Sequence, residues 1–307
     1  RLRHPRYGAR QYRPADLVAV GNVMKIGYST WGMPETPIDV ALDHLAGLGF
    51  TGVEPTVIPG YSTELDGLDA AERSRIRRRF DELGLQMPAV AGHRSLTARD
   101  NTEHQENWRR LTGAIDLCAQ WSGAEGTPAL DTTLGLRPED WDPQRQFVLD
   151  RVGELVSYAG KRGVVVAIEP HVGSALDLPE KAVWLLEQIG SQFLKLNFDI
   201  SHFDVLGIPT AESVAALAPH SVHTHVKDQR GRSPDHEFLI PGEGPFDFCE
   251  YLQHMAAAGY DGFVTAEVSV MVQRRPTYDP LGAAELTFRT LREAFSAAGL
   301  EPGSAAR

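Results

Sequence analysis

Three acidic residues and one histidine each stand at the end of a short apolar run in the second half of the chain. They are Glu169, Asp199, His225 and Glu267. If the four runs are neighbouring parallel strands, the four side chains meet at one edge of the sheet. Three carboxylates and one imidazole suit Mn²⁺, Mg²⁺ or Co²⁺ better than the thiolate-rich set typical of structural Zn²⁺. The pattern therefore predicts one divalent-cation site.

The four runs belong to a longer alternation of apolar runs and segments with helical periodicity. The runs span residues 25–29, 52–57, 86–91, 123–130, 164–169, 194–199, 221–226 and 262–268. Asp69 and Leu178-Pro179 are typical helix starts, whereas Gly84 and Gly190 are typical helix ends. Eight strand–helix units predict a single α/β domain, a (β/α)₈ TIM barrel. The first turn carries no dinucleotide-binding glycine pattern, which argues against a doubly wound sheet.

Side-chain alternation within the last four barrel strands supports the same site. Residues of a barrel strand point alternately to the interior and to the helix layer. When the apolar positions Val166, Phe198 and Val264 face the helices, all four predicted ligands face the interior. They also lie at the carboxyl ends of strands, where barrel enzymes build active sites.

Composition sets the broad class of the protein. The chain has 307 residues, with 42% hydrophobic and 23% charged side chains, as expected of a folded globular protein. A net charge of −11 argues against nucleic acid as a partner. No apolar run is long enough to span a membrane, and two distant cysteines fit a reducing cytoplasm.

We predict an N-terminal extension over 1–22, the barrel over 23–300 and a C-terminal tail over 301–307.

A structural salt-bridge network is the alternative to a metal site. Three inward acids repel one another unless a cation holds them together. Lys195 and Lys227 also point inward and are the best candidates for counter-ions to these acids. Lys195 lies four residues before Asp199, near the barrel floor, so it is poorly placed to neutralise the carboxylates at the other end.

Further residues at or just beyond strand ends are expected to line a sugar pocket. His171 follows Glu169 by two residues and could move a proton, since imidazole titrates near neutrality. His202 could bind a substrate hydroxyl, and both histidines could equally be structural. The remaining pocket predictions are Tyr28, Trp31, Glu54, His93 and Lys227. The two aromatic rings would provide an apolar wall, although ordinary barrel packing is an alternative for both.

The order Glu, Asp-x-x-His, His and Glu on the last four strands resembles the xylose isomerase-like barrel superfamily. That superfamily includes sugar isomerases and epimerases, inosose dehydratases and the endonuclease IV group. The resemblance spans about residues 25–298. It places the family's metal ligands on Glu169, Asp199, His225 and Glu267, and its substrate-contacting histidine on His202.

The motifs that distinguish the members of this superfamily point to different activities for this chain. The stretch His223-Thr-His-Val-Lys-Asp228 resembles inosose dehydratase-like members. Glu169-Pro-His171 is similar to dehydratases and to catalytic subunits of bacterial C-glycoside deglycosidases. Ala175 and Gly231 replace a Glu and an Arg of the ketose 3-epimerases, which argues against that activity. Asp235 and His236 are adjacent rather than spaced as in the endonucleases, which argues against DNA repair.

The resemblance implies a metal-dependent isomerase or epimerase of a keto-sugar or related polyol. Such an enzyme removes a proton next to a carbonyl through a metal-bound enediolate, with Glu169 and Glu267 as acid and base and Mn²⁺, Mg²⁺, Co²⁺ or Zn²⁺ as the ion. A lyase that performs β-elimination with His171 as base is the alternative. A non-catalytic sugar-binding subunit is the alternative of another class. A homo-oligomer, or a small accessory subunit for a deglycosidase, is compatible with either enzyme.

Overall fold

A parallel sheet forms the centre of the molecule. The structure, a computed structural model, describes residues 23–304, so the predicted extension over 1–22 and residues 305–307 of the tail lie outside the described residues. The strands are β1 Lys25–Ser29, β2 Gly52–Glu54, β3 Ala89–Ala91, β4 Ala129–Thr133, β5 Val166–Glu169, β6 Leu194–Asp199, β7 Ser221–Val226, β8 Asp228–Arg230, β9 Glu237–Leu239 and β10 Phe263–Ala266.

Eight of these strands make a nearly closed barrel. Their order is β2-β1-β10-β7-β6-β5-β4-β3, and all neighbouring pairs are parallel. Isolated parallel bridges from Gly52 to Gln86 and from Thr56 to Ala91 join the first strand of this order to the last. Strands β8 and β9 form a separate antiparallel hairpin after β7, which the sequence did not predict. The prediction of an eight-stranded barrel is confirmed.

Helices surround the sheet. They are α1 Ile38–Leu48, α2 Ala70–Leu83, α3 Asn101–Gln120, α4 Trp141–Gly160, α5 Pro179–Ile189, α6 Ile200–Asp204, α7 Thr210–Leu217, α8 Phe248–Ala257, α9 Val270–Gln273 and α10 Pro280–Ala297. Asp69 caps the start of α2, and Gly84 ends it in the left-handed conformation, as predicted. The short helices α6 and α9 follow β6 and β10 at the carboxyl end of the barrel. No helix of residues 23–304 is long and apolar enough to cross a membrane.

The predicted alternation of side chains is observed in the core. Val166, Phe198 and Val264 are fully buried in the layer between sheet and helices. Three small residues at the base of the barrel interior, Ala89, Ala129 and Ala167, pack as a separate cluster. This arrangement directs the opposite face of each strand, with its polar side chains, to the barrel interior.

The predicted position of the fourth strand is wrong. We expected a strand over residues 123–130, whereas β4 spans Ala129–Thr133. Gly123 and Gly126 exchange backbone hydrogen bonds in a tight turn, and Gly126 has φ +109°, outside the extended region. The shift matters because it places Asp131 within a strand, facing the interior.

Candidate active site

The four predicted metal ligands meet at the carboxyl end of the barrel. Glu169 and Asp199 are the last residues of β5 and β6, His225 is the fifth residue of β7, and Glu267 follows β10 directly. Asp199 pairs in register with His225, and His225 with Thr265. One ligand atom of each residue lies within 4.8 Å of the others, and all four residues are buried.

Lys227 supplies positive charge to this cluster. Its Nζ forms ion pairs with the carboxylates of Asp199 and Glu267. Burial alone would raise the pKa of Asp199, but the facing Lys227 ammonium lowers it to about 2. Burial would likewise lower the pKa of Lys227, whereas the surrounding carboxylates raise it above its ordinary value. The salt-bridge network that was the alternative to a metal site is therefore present in part, as the two ion pairs of Lys227. Lys195 forms no ion pair with any described residue.

The two nitrogens of His225 face different neighbours. Nδ1 faces the proposed ligands, 3.5 Å from Oε1 of Glu169 and 3.8 Å from Oε1 of Glu267. Nε2 lies 2.9 Å from Oε2 of Glu54, on the other side of the ring. Burial would lower the pKa of this imidazole, but the carboxylates of Glu54 and Glu267 raise it well above its usual value.

Glu54 does not line a pocket, contrary to the prediction. It faces the interior, but it is fully buried and its oxygens contact His225 and His223. Burial would raise its pKa, and the two imidazoles hold it well below the usual range. A carboxylate enclosed in this way contacts its histidine partners and not a substrate.

The predicted position of Tyr28 is also wrong. Its side chain is fully buried, and its ring packs edge-on against Phe50 at 5.3 Å. The alternation in β1 explains the error. A Cβ on Gly27 would lie 2.7 Å from Oγ1 of Thr265 in the barrel interior, so the next residue, Tyr28, must face the helix layer.

A cavity of about 240 Å³ lies directly above the cluster. Its walls contain the predicted residues Trp31, Glu169, His93, His171, His202, Lys227 and Glu267, together with Thr133, Phe238, Ser269 and Val270. The ring of Trp31 packs edge-on against His93 at 5.0 Å. A larger cleft of about 710 Å³ lies on the surface of α3 and α4, lined by residues such as Trp108, Arg151 and Tyr158. The small cavity is the one that contains the predicted chemistry.

His171 and His202 lie side by side in this cavity, with ring centroids 3.8 Å apart. Nδ1 of His171 lies 2.7 Å from the carbonyl oxygen of Val172. Because a carbonyl oxygen only accepts, Nδ1 donates to it, and Nε2 is the other ring nitrogen. Burial and the neighbouring His171 lower the pKa of His202 well below its usual value.

Several residues of the site were not found from the sequence. Asp131 is fully buried, with Oδ2 3.4 Å from Nε2 of His93, and burial together with the nearby Glu54 raises its pKa well above the ordinary value. The ring of Tyr61 stacks on Trp31 at 5.4 Å, and Gln273 donates to the Trp31 carbonyl oxygen. Correct placement of β4 would have revealed Asp131. Tyr61 lies in a loop, where no periodicity indicates its direction.

The residues present fit a divalent cation. Three oxygen donors and one imidazole nitrogen come close enough to share one ion. Oε1 of Glu169 is buried and accepts no hydrogen bond, so it is free to bind a cation. The ammonium group of Lys227 already shows that this set of carboxylates attracts positive charge. The site can therefore hold a metal ion.

Comparison with known proteins relates this chain to the xylose isomerase-like TIM barrels. A sequence model of the xylose isomerase-like TIM barrel matches residues 42–294. The rhizopine catabolism protein MocC of Rhizobium meliloti is 25% identical over 301 residues, 88% of this chain and 86% of that protein. A putative hydroxypyruvate isomerase of Streptomyces coelicolor is 25% identical, with 83% and 84% of the chains covered. An inosose dehydratase of Geobacillus thermodenitrificans is 24% identical over 47% of this chain and 52% of its own.

Solved structures share the fold at low sequence identity. The IOLI protein with a binding zinc atom superposes with a TM-score of 0.71 at 18% identity, covering 90% of this chain and 98% of its own. The 3-keto-D-glucoside 4-epimerase YcjR of E. coli gives a TM-score of 0.70 at 17% identity, covering 88% and 99%. These similarities show the fold alone.

Proposed function

The chain belongs to the xylose isomerase-like TIM-barrel family, and from that premise we propose that it is a divalent-metal-dependent isomerase or epimerase of a keto-sugar or related polyol. One observation carries this proposal. The four ligand types that the sequence predicts converge within 4.8 Å at the floor of a cavity that holds further proton-transfer groups. The small volume, about 240 Å³, is below the usual range of about 300–1,000 Å³ for drug-sized ligands and suits a single sugar ring.

In this proposal Glu169, Asp199, His225 and Glu267 hold the cation, for which Mn²⁺ is our first choice. When bound, the cation supplies Lewis-acid stabilisation of negative charge that develops on a carbonyl oxygen. Glu169 and Glu267 both line the cavity, so each can remove a proton from, or return one to, the carbon next to that carbonyl. The two come from non-adjacent strands, β5 and the end of β10, and in this proposal they act on different sides of the reacting carbon.

The other cavity residues bind and orient the sugar in this proposal. Lys227 and His93 offer donors to hydroxyl oxygens, and His202 offers a neutral ring that both donates and accepts. Trp31 supplies an apolar face, and its ring is held by Tyr61. The names of relatives support this class of substrate, since one is a putative hydroxypyruvate isomerase and one structural neighbour is a keto-glucoside epimerase.

A lyase of the same family is the second candidate, and His171 is the observation that favours it. It lines the cavity, and because Nδ1 donates to the carbonyl oxygen of Val172, Nε2 is the nitrogen that can act as a general base. An inosose dehydratase is among the sequence relatives. In this alternative His171 removes the α-proton, a β-substituent leaves with the electron pair, and Glu169 and Glu267 remain cation ligands only.

Product analysis in deuterated water separates the two candidates. The Mn²⁺-loaded protein is incubated with free ketoses, 3-keto-glycosides and inososes, and both the products and the deuterium at the α-carbon are measured. An isomerase or epimerase yields products of unchanged mass apart from deuterium, and His171→Ala retains exchange. A lyase yields a dehydrated or deglycosylated product, and His171→Ala abolishes it while the metal stays bound. Metal binding without exchange or product for any of these compounds would instead favour a sugar-binding subunit.

A further inference from the structure

Glu54 is too deep in the barrel to touch a substrate, yet it contacts a proposed metal ligand. It is the last residue of β2, is fully buried and does not line the cavity. Its Oε2 lies 2.9 Å from Nε2 of His225, whereas Nδ1 of the same ring faces Glu169 and Glu267. The imidazole thus lies between the proposed cation on one side and a carboxylate on the other.

The contact between Glu54 and His225 indicates which ring nitrogen of His225 carries a proton. An ionised carboxylate only accepts, so Nε2 must donate to Glu54. Nδ1 lies on the opposite side of the ring, 3.0 Å from the amide of Asn197 and facing Glu169 and Glu267. The contact between Nε2 and Glu54 therefore favours the tautomer in which Nδ1, the nitrogen that faces Glu169 and Glu267, is free to bind an ion.

His223 lies beside the other carboxylate oxygen of Glu54. It lies two residues before His225 in β7, so both rings point to the barrel interior. Nε2 of His223 is 3.4 Å from Oε1 of Glu54, and the ring is fully buried. Each carboxylate oxygen of Glu54 thus faces one imidazole, which restricts its rotation.

We propose that Glu54 is a positioning residue that fixes the orientation and tautomer of His225, so that Nδ1 is presented to the cation. The inference rests on the proposed metal site and deepens it. Carboxylates and carbonyls that accept from the far nitrogen of a metal-binding histidine commonly change metal affinity about 10–100-fold when removed. We expect an effect of this size from Glu54, although it lies outside the four proposed ligands and does not line the cavity.

The test measures Mn²⁺ affinity by electron paramagnetic resonance and the histidine tautomer by NMR of ¹⁵N-histidine-labelled, Zn²⁺-loaded protein. The variants are Glu54→Leu, which removes the acceptor, and Glu54→Gln, which keeps the shape and one carbonyl acceptor. The exposed Glu35→Gln is the control, since Glu35 contacts none of these groups. We expect about 10–100-fold weaker binding for Glu54→Leu, a smaller loss for Glu54→Gln and none for Glu35→Gln. The wild-type protein should show His225 with its proton on Nε2.

Four outcomes would contradict the positioning role of Glu54 or the metal site on which it rests. If wild-type protein binds no cation, the proposed function fails along with it. If wild-type protein binds Mn²⁺ but carries the His225 proton on Nδ1, or if both Glu54 variants bind as tightly as wild type, only the positioning role fails. If wild-type protein binds two ions and both Glu54→Gln and His223→Gln lose one of them, Glu54, His223 and His225 form a cation site themselves. The wild-type tautomer is measurable even where Glu54→Leu fails to fold.

Discussion

Glu169 and Glu267 are the residues whose loss should most affect the reaction. Each lines the cavity and each belongs to the four-residue cluster, so a neutral amide removes both a proton-transfer group and a charged ligand. For an isomerase or epimerase we expect Glu169→Gln and Glu267→Gln each to slow α-proton exchange by at least about 10²-fold. Deuterium incorporation followed by NMR is the measurement, with Glu35→Gln as the control. Full exchange in either cavity variant would remove that glutamate from the mechanism.

Lys227 should stabilise the protein mainly when no metal is bound. Its ammonium group pairs with two buried carboxylates that a cation would otherwise neutralise. We expect Lys227→Met to lower the free energy of unfolding of the metal-free protein by about 3–5 kcal/mol, the usual effect of breaking a buried ion pair. With saturating Mn²⁺ the loss should be much smaller, because the ion replaces the missing charge.

Urea unfolding with and without Mn²⁺ measures this difference. Lys195→Met is the matched control, since Lys195 lies on β6 and forms no ion pair with any described residue, so its effect should be small in both conditions. An equal loss of stability from Lys227→Met in the two conditions would show that the lysine and the cation do not share these carboxylates.

At the scale of single residues, strand alternation predicted side-chain direction well, and several residues placed only by their position beyond a strand end, such as Trp31 and His202, also line the cavity. The cluster at Glu169, Asp199, His225 and Glu267 follows from alternation in four strands that begin and end close to where they were expected. Tyr28 was placed in the pocket without that argument, and alternation directs it into the helix layer. Glu54 points inward as expected, but its depth depends on β7, which supplies His223 and His225. How deeply a side chain is buried depends on residues of other strands, so the sequence of one strand does not predict it.

Among the elements, the close approach of β1 and β2 to β10 depends on Gly27 and Gly52. A Cβ on Gly52 would lie 2.2 Å from the ring of Phe263, so Gly52→Ala must displace that ring. We expect Gly52→Ala to destabilise the protein by about 1–3 kcal/mol through overpacking. Gly47→Ala, on the exposed face of α1 where a Cβ meets nothing within 4 Å, should instead stabilise it by about 0.4–1 kcal/mol.

Thermal unfolding of the two alanine variants tests this contrast, because both add the same methyl group. If Gly52→Ala were as stable as Gly47→Ala, the ring of Phe263 would not occupy the barrel interior beside β2.

The remaining differences between prediction and structure at this scale involve turns. The glycine turn before β4 was taken as strand, and the β8–β9 hairpin was missed because its short strands are mostly polar and form no apolar run.

For the whole molecule, the barrel and the proposed cation should be thermodynamically linked. The four ligands come from β5, β6, β7 and the end of β10, so an ion that binds them joins half of the barrel strands and binds only the folded chain. At a free concentration 100 times its Kd, the ion should stabilise the fold by about 2.7 kcal/mol. Scanning calorimetry before and after chelation should show a lower Tm for the metal-free protein. An unchanged Tm at saturating Mn²⁺ would contradict this linkage.

The most direct test of the metal site is a crystal structure of the Mn²⁺-loaded protein, with the ion located by its anomalous scattering. We expect one strong peak among Glu169, Asp199, His225 and Glu267, with oxygen distances of about 2.0–2.3 Å and with Nδ1 of His225 as the nitrogen ligand. A crystal grown with Mn²⁺ that shows no peak there, with Lys227 still paired to Asp199 and Glu267, would contradict the account.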